Sequence, residues 1–399
     1  MLPAPLRILS ISTLFPSPVR PHFGLFVARQ VQALVQRGGV EMVVIHPIAL
    51  ALPPFDRLLN PAALRGLSAM THDGGVEVHY SRYRYVPRSG PRWEPGSIAR
   101  AILPLARPLH AQAPFDLVDA QFFYPDGPAA ASVARALGLP LSIKARGSDI
   151  HVIGKKPFAR RAMLAAADQA AGLLAVSEAL KREMVALGMP ENKIEVHYTG
   201  LDHTQFRSQP RDMARAAIAD LVPGDGPLLA SVGNLIRLKG HDLTITALAD
   251  LPGVRLVIAG GGGEERALRD LAERLGVADR LVLAGPLPAE CVAALLSAAS
   301  AMVLPSASEG LANAWVEALA CGTPLVIPDV GGARELLREA SAGRIIERSA
   351  EAIAGAVREL LADPPDQAAV AASAARFSWA ANAAELAAHY ARIVGRDPT

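Results

Sequence analysis

The sequence predicts an α/β protein built from two parallel sheets in series, and three observations carry that expectation. Short apolar runs alternate with helical segments through residues 1–205, the alternation lapses at 208–227, and it then restarts. At 399 residues the chain is longer than one hydrophobic core usually organises. In the second half, glycines stand at the ends of successive apolar runs, where the turns of a parallel sheet edge belong.

In chain order, Leu6 to Ser12 reads as a buried strand, followed by a Pro-rich loop that ends at Gly24. A helix follows in which Val27, Val31 and Leu34 recur at i, i+4 and i+7, and Gly38-Gly39 stops it before the strand 41–45. Residues 47–113 are rich in Pro and Arg and offer one convincing strand, 76–80. Regularity returns with strand 115–120, helix 128–137, strand 139–144, strand 173–176 running into a helix capped by Ser177, and strand 194–198. Beyond the linker, strands 228–232, 254–259, 281–283, 301–304 and 324–327 alternate with helices 241–248, 264–275, 290–298 and one holding Glu317. The stretch from Phe377 to Val394 is one more helix, placed to pack on either sheet.

With 51% hydrophobic and 20% charged residues the chain is globular rather than disordered. The N-terminus lacks the pattern of a secretory signal, and no apolar run reaches about 18 residues, so a cytosolic location is expected. Cys291 and Cys321 lie in helical apolar contexts without metal-ligand spacing, which favours buried free thiols and no metal site. Residues 1–205 hold 22 Lys+Arg against 15 Asp+Glu, net +7, while the remainder is net −5. A basic half points to an anionic partner. Because the cations are dispersed and no nucleic-acid motif accompanies them, a phosphate-bearing substrate or a membrane surface is expected, not DNA or RNA.

The most informative stretch runs from Ser308 to Pro324. Glu309 lies in a Ser/Gly turn after an apolar run, and Glu317 lies inside the helix that follows. Free backbone N–H groups and the positive dipole end at such a helix start attract phosphate or hydroxyl oxygens. Gly233, the run 260–263, Gly285 and Gly310 each follow an apolar run and should share one sheet edge, an arrangement suited to a nucleoside diphosphate. The glycine run alone is a weak sign, since glycine turns also simply end strands. Hydride transfer is disfavoured because no G-x-G-x-x-G follows the first strand of either half. Arg237 and Lys239, directly after the 228–232 strand, could neutralise a diphosphate, or could be solvated loop charges.

Glu309 and Glu317 invite comparison with a glycosidase carboxylate pair. Eight helical residues rise about 12 Å, whereas a retaining hydrolase needs about 5–5.5 Å between carboxyls and an inverting one about 6.5–9.5 Å. A long ligand touched at both ends fits better, with a sugar at Glu309 and a ribose at Glu317. The plainer readings are a surface charge at Glu317 and a core role for Trp315.

These residues carry a resemblance. The E-x7-E spacing of Glu309 and Glu317, the 233–240 loop, the turn at 260–263, the segment 175–180, and Gly200-Leu201-Asp202 followed by Phe206 resemble the retaining family 4 (group 1) glycosyltransferases of GT-B fold over nearly the whole chain. The resemblance implies two Rossmann-like domains facing across a cleft: an acceptor-binding domain at 1–207, a nucleotide-sugar domain at 208–376, and a helix at 377–399 returning to the first. It implies no obligatory metal or cofactor, the donor being a nucleotide sugar. Glu309 should contact the donor sugar, Glu317 the ribose, the backbone of Gly310, Leu311, Ala312 and Asn313 the sugar or diphosphate, and Lys239 the phosphates. Gly233, Asn234, Arg237 and Gly285 should line the donor site, and the loop ending at Gly24 should approach the diphosphate.

Two residues depart from the family pattern. Asn234 stands where the family has an Arg of its phosphate clamp, with Arg237 a stand-in. Arg146 replaces the usual His in Ala145-Arg146-Gly147-Ser148-Asp149 and could bind an anionic sugar or acceptor phosphate. Tyr124, Asp126 and Asp149 follow strands of the first half and are expected on the acceptor side with Arg146. Four cations in 154–161 suggest contact with anionic lipid and a lipid-linked acceptor, or else a solvated helix start. The expected activity is sugar transfer to a hydroxyl acceptor such as a glycolipid, lipid-linked saccharide or polysaccharide precursor, with retention. A sugar-nucleotide epimerase and a non-catalytic nucleotide-sugar binding protein are the alternatives. Transfer to a second molecule separates the first, and turnover abolished by Glu309→Ala separates the second.

Overall fold

The computed structural model describes residues 4–53, 62–85, 91–222 and 226–396. They fall into two compact units, one of residues 1–200 with 379–399 and the other of residues 201–378.

The first unit is built on an eight-stranded sheet. Its strands are β1 (Leu6–Ile11), β2 (Val40–Ala51), β3 (Met70–Asp73), β4 (Val76–Tyr85), β5 (Leu117–Ala120), β6 (Leu141–Ala145), β7 (Gly172–Ala175) and β8 (Ile194–Val196). The order is β3-β4-β2-β1-β5-β6-β7-β8, and every pairing is parallel except that of β3 with β4. Strand order therefore reverses between β1 and β5, and the loops leaving these two strands flank the crevice where open sheets hold ligands. Ile8, Val27, Val31, Leu34, Val44 and Val78 are buried together as the core of one face.

The stretch that sequence reasoning found hardest contains the helix Glu94–Gln112. Pro104 and Pro108 lie inside it, which disguises it, because proline normally interrupts the helical ladder. Both prolines are exposed, whereas Ile98, Ile102 and Ala106 are buried at intervals of four. The buried stripe holds the helix in place, and the carbonyls left without partners can be hydrated on the outer side. Ser177 caps its helix as expected, accepting a hydrogen bond from the Leu180 N–H at 3.1 Å.

The last helix, Trp379–Val394, belongs to the first unit. Ala383, Leu386 and Tyr390 join that unit's core, and the Asn382 amide donates to the Tyr198 carbonyl at 2.6 Å. The division between the units falls at Gly200, because residues 201–207 already bond within the second unit. His203 Nε2 lies 2.9 Å from the Phe377 carbonyl oxygen, and the Ser297 hydroxyl donates to the Arg207 carbonyl at 3.3 Å.

The second unit carries a six-stranded, all-parallel sheet of β9 (Leu228–Val232), β10 (Arg255–Ala259), β11 (Leu281–Gly285), β12 (Ala301–Val303), β13 (Leu325–Pro328) and β14 (Gly343–Ile346). The order is β11-β10-β9-β12-β13-β14, reversing between β9 and β12. Strand β14 escaped the sequence reading; its register against β13 brings Gly343 beside Leu325. Two Rossmann-like α/β units are thus present. No described helix is long and apolar enough to cross a membrane.

Candidate active site

In the second unit the four glycine turns do share one edge, because β11, β10, β9 and β12 are parallel neighbours and each turn leaves a carboxyl end. Backbone hydrogen bonds stitch the turns together. Gly233 N–H donates to the Ala259 carbonyl at 2.9 Å, Gly260 N–H to that of Gly285 at 2.8 Å, and Leu235 N–H to that of Gly261 at 3.0 Å. Gly260 has φ +149°, and a Cβ there would come within 2.0 Å of the Gly233 carbonyl oxygen. Only glycine permits so close an approach.

The loops leaving β9 and β12, on either side of the strand reversal, are tied to each other. Ala307 N–H donates to the Leu238 carbonyl at 2.8 Å, and Arg348, beyond β14, braces the β12 loop by donating its Nε to the Pro305 carbonyl at 2.8 Å. This lacing brings the Lys239 ammonium to 2.5 Å from Glu309 Oε1, with the two side chains 18% and 12% exposed. Residues 70 positions apart thus form a charge-assisted hydrogen bond in a largely sheltered place. The pair leaves two opposite charges on the crevice side of the sheet, where a diphosphate and a sugar hydroxyl could each exchange with one partner.

Next to Glu309 the helix Asn313–Ala320 begins at Ala312, and no side chain caps it. Its first N–H groups and its dipole are directed at the turn that carries Glu309 and Gly310. Trp315 is fully buried, which settles it as core, and Glu317 is half-buried in the second turn of the same helix. Leu311 and Ala312 are buried. Asn234 and Arg237 are exposed, and Arg237 Nε lies 3.5 Å from Glu264 Oε2 with its own side chain 92% exposed. So exposed an ion pair holds the guanidinium weakly.

Two supports were missed at the level of sequence. His241 is buried; its Nε2 lies 3.2 Å from the Asn234 carbonyl oxygen and its Nδ1 3.0 Å from the Ser231 hydroxyl. A carbonyl can only accept, so Nε2 carries the proton and Nδ1 accepts from the serine. Burial first, and then the nearby Lys239 charge, lowers the pKa of the ring. Gly331, in the turn after β13, has φ +51°, and a Cβ would lie 2.1 Å from the Glu309 carbonyl oxygen. The adjoining Gly332 N–H donates to the Gly310 carbonyl at 2.9 Å. A Gly-Gly pair after an apolar run was the available signal.

In the first unit the named residues shape loops. Asp126 is fully buried, and its Oδ2 accepts from the Thr13 N–H at 2.9 Å; burial pushes its carboxyl up to about 8. Asp149, also fully buried, accepts the N–H groups of Phe123 (2.8 Å), Gly147 (2.8 Å), Arg146 (3.1 Å) and Ile150 (3.1 Å). Burial raises its carboxyl pKa against the pull of those bonds. Both carboxylates point into the protein. The Tyr124 hydroxyl donates to the Pro91 carbonyl, and its ring stands edge-on to Phe158 at 6.1 Å, so Phe158 faces inward rather than outward beside the 154–161 cations.

Arg146 is held by Gln121 and Gln30. Its Nε donates to the Gln121 carbonyl at 3.1 Å and its Nη2 to Gln30 Oε1 at 3.4 Å and to Gln121 Oε1, while the guanidinium lies 5.0 Å from the centre of the Phe26 ring. Gly24, the N-cap of the helix Leu25–Arg37, rests on the Leu14-Phe15 backbone. Among the described residues no group of three or more His, Cys, Asp and Glu is placed to hold a metal ion.

Comparison with known proteins agrees with this geometry. The model "Glycosyltransferase Family 4" matches residues 23–205, and "Glycosyl transferases group 1" matches 215–377. The chain belongs to the group 1 glycosyltransferases. It is similar to the D-inositol 3-phosphate glycosyltransferase of Mycobacterium bovis, 35% identical over 242 residues, a stretch covering 57% of this chain and 50% of the relative. The chain thus spans about half the length of the curated relatives it matches. The fold is shared with sucrose-phosphate synthase of Thermosynechococcus elongatus (TM-score 0.79, 19% identity, 98% of this chain and 99% of that one). It is shared too with Anabaena HepE in complex with UDP (TM-score 0.72, 20% identity, 96% and 98%). The two units of this group 1 glycosyltransferase are accordingly those of the GT-B fold.

Proposed function

We propose that the chain transfers a sugar from a nucleoside diphosphate sugar to a hydroxyl of an acceptor, with retention at the anomeric carbon. The observation that carries this reading is the Lys239–Glu309 pair, placed at the strand reversal of the second sheet beside an uncapped helix start. The diphosphate would take Lys239 and the N–H groups of the 310–313 turn, and the sugar would take Glu309 through a hydroxyl. Glu317, farther along the helix, suits the ribose hydroxyls. The sugar–diphosphate bond breaks as the acceptor oxygen bonds to the same face, and a diphosphate oxygen receives the acceptor proton. Lys239 and the backbone amides would stabilise the leaving charge. The complex of Anabaena HepE with UDP supports a nucleotide donor.

The experiment is a thermal-shift panel of UDP-, GDP- and ADP-sugars, with one donor expected to raise the melting temperature. At 100 times its Kd a ligand stabilises by about 2.7 kcal/mol, a shift of roughly 5–10 °C for units of this size. Product made with that donor should keep the donor's anomeric configuration by NMR coupling. No shift with any donor would remove the reading.

For the acceptor we propose a glycolipid, lipid-linked saccharide or polysaccharide precursor, reached from the cytoplasmic face. Lys155, Lys156 and Arg161 are exposed, as is the adjacent Val152, a combination that suits an anionic lipid surface. Charge reversal of the three cations is expected to abolish co-sedimentation with phosphatidylglycerol vesicles. Equal recovery of the unaltered protein on neutral and anionic vesicles would count against the membrane contact.

A further inference from the structure

Beyond the end of β1, the sheet of the first unit continues as two strands. β1 stops at Ile11, opposite Ile45, whereas β2 and β4 remain paired from Pro47 and Ser81 to Ala51 and Tyr85. This extension, the loop leaving β1 and the start of the helix Glu94–Gln112 enclose a cavity of about 380 Å³. That volume falls within the range of small-molecule sites. The cavity lies past the carboxyl end of β1 and alongside the last residues of β2 and β4, and apolar side chains, including Leu14, Phe23 and Ile48, supply much of its lining.

The hydroxyls of Thr13, Ser17, Tyr83 and Tyr85 line it together with Arg20, His46 and Glu94, and two of these groups are fixed as acceptors. His46 is 5% exposed and wedged between Phe15 and Tyr80, with ring centroids 6.5 and 6.0 Å away. His46 Nδ1 lies 2.7 Å from the Ser12 carbonyl oxygen, which can only accept, so Nδ1 carries the proton. Nε2 is therefore a lone-pair acceptor, and no hydrogen bond to it from the described residues accompanies the one at Nδ1. Burial, with Arg20 nearby, lowers the His46 pKa to about 4 and keeps the ring neutral. On the facing wall the Tyr83 hydroxyl donates to Glu94 Oε1 at 2.5 Å. Arg20, the one cation among the described lining residues, is exposed.

These features select among ligands. An acyl chain would leave His46 Nε2 buried without a donor, at a cost of about 1–3 kcal/mol, and would set hydrocarbon against the Glu94 carboxyl. A phosphate seated in the cavity would meet lone pairs rather than donors at both. A saturated ring bearing hydroxyls offers O–H donors around an apolar C–H face, which matches the lining. We propose that this cavity receives the hydroxylated ring of the acceptor, an uncharged polyol or monosaccharide unit, with one hydroxyl donating to His46 Nε2 and another to Glu94. The proposal rests on the glycosyl-transfer reading and adds to it the acceptor's chemical class and a specificity-determining residue.

The test uses the full chain, with free myo-inositol, glucose and galactose as probes. Nitrogen-15 NMR of labelled histidines reads the His46 ring directly, and calorimetry measures affinity. One of the polyols is expected to move the His46 Nε2 resonance. His46→Asn, which keeps an N–H for the Ser12 carbonyl but loses the Nε2 acceptor, should bind that polyol about tenfold more weakly. Nucleotide diphosphate affinity should stay unchanged. A His46 ring untouched by every probe, or polyol affinity unchanged in His46→Asn, would overturn the proposal. If the variant does not fold, the spectrum of the unaltered chain decides by itself. Failure of the unaltered chain to bind any nucleotide diphosphate would instead strike the transfer reading and leave the polyol result standing.

Discussion

Glu309→Gln is expected to lower sugar transfer by a factor of at least about 100 while leaving nucleotide diphosphate affinity unchanged or tighter. The substitution keeps shape and one acceptor oxygen but removes the charge that Lys239 now faces at 2.5 Å. On this assignment an incoming diphosphate would compete with Glu309 for Lys239. Glutamine weakens that competition, so the phosphates lose nothing, but the sugar loses its charged partner when positive charge develops at the anomeric carbon. Lys239→Met should give the opposite split. Glu309 would remain 12% exposed without its ammonium, and the diphosphate would meet a carboxylate where it expects a cation. Nucleotide affinity should then fall at least about tenfold, since hydrogen bonds to charged groups contribute about 1.5–3 kcal/mol. Calorimetric titration with the nucleotide and single-turnover transfer separate the two effects. Transfer at an unaltered rate in Glu309→Gln would refute the assignment.

The second large effect is expected at a glycine packed against the backbone of the Glu309 turn. Gly331→Ala should reduce transfer about as severely as Glu309→Gln, because the added methyl cannot coexist with the Glu309 carbonyl oxygen 2.1 Å away, nor with that of Gly310 at 2.6 Å. Relief requires the Glu309 turn itself to move, and a displacement of about 1 Å can cost roughly 100-fold in rate. The left-handed backbone at φ +51° adds about 1–2 kcal/mol of strain. Gly276→Ala provides the control. It has φ +67° but no atom within 4 Å of the new Cβ, so it carries the strain without the collision. Both variants should lose a few degrees in melting temperature, and only Gly331→Ala should lose transfer. Equal activity in the two would show that the turn after β13 does not position Glu309.

What was legible in the sequence was whatever depends on short-range pattern. The parallel strands, the glycine turns on one edge and the helix start beside Glu309 all follow from local periodicity and backbone freedom. The resemblance gave Glu309 to the sugar and Lys239 to the phosphates but not their meeting, which depends on the lacing of two loops whose residues lie 70 positions apart. Residues 47–113 resisted reading because two prolines interrupt a helix whose buried stripe outweighs them. The long reach of β2 and β4 past β1 was equally hidden, since nothing local says where a neighbouring strand stops. Carboxylates proved ambiguous from sequence alone. Asp126 and Asp149 follow strands as ligand-binding residues do, yet Asp126 spends one oxygen, and Asp149 both, on backbone N–H groups.

The last helix gives the chain an order of assembly. Tyr390, Leu386 and Ala383 are core residues of the first unit, yet they follow the whole of the second unit in the sequence. During synthesis the first sheet emerges early and must wait, with part of its apolar face uncovered, while residues 201–378 are made and fold. The second unit, contiguous in sequence, can close on its own. The first reaches its final packing only when the closing helix leaves the ribosome, so it is the later unit to mature although it is the first to be translated.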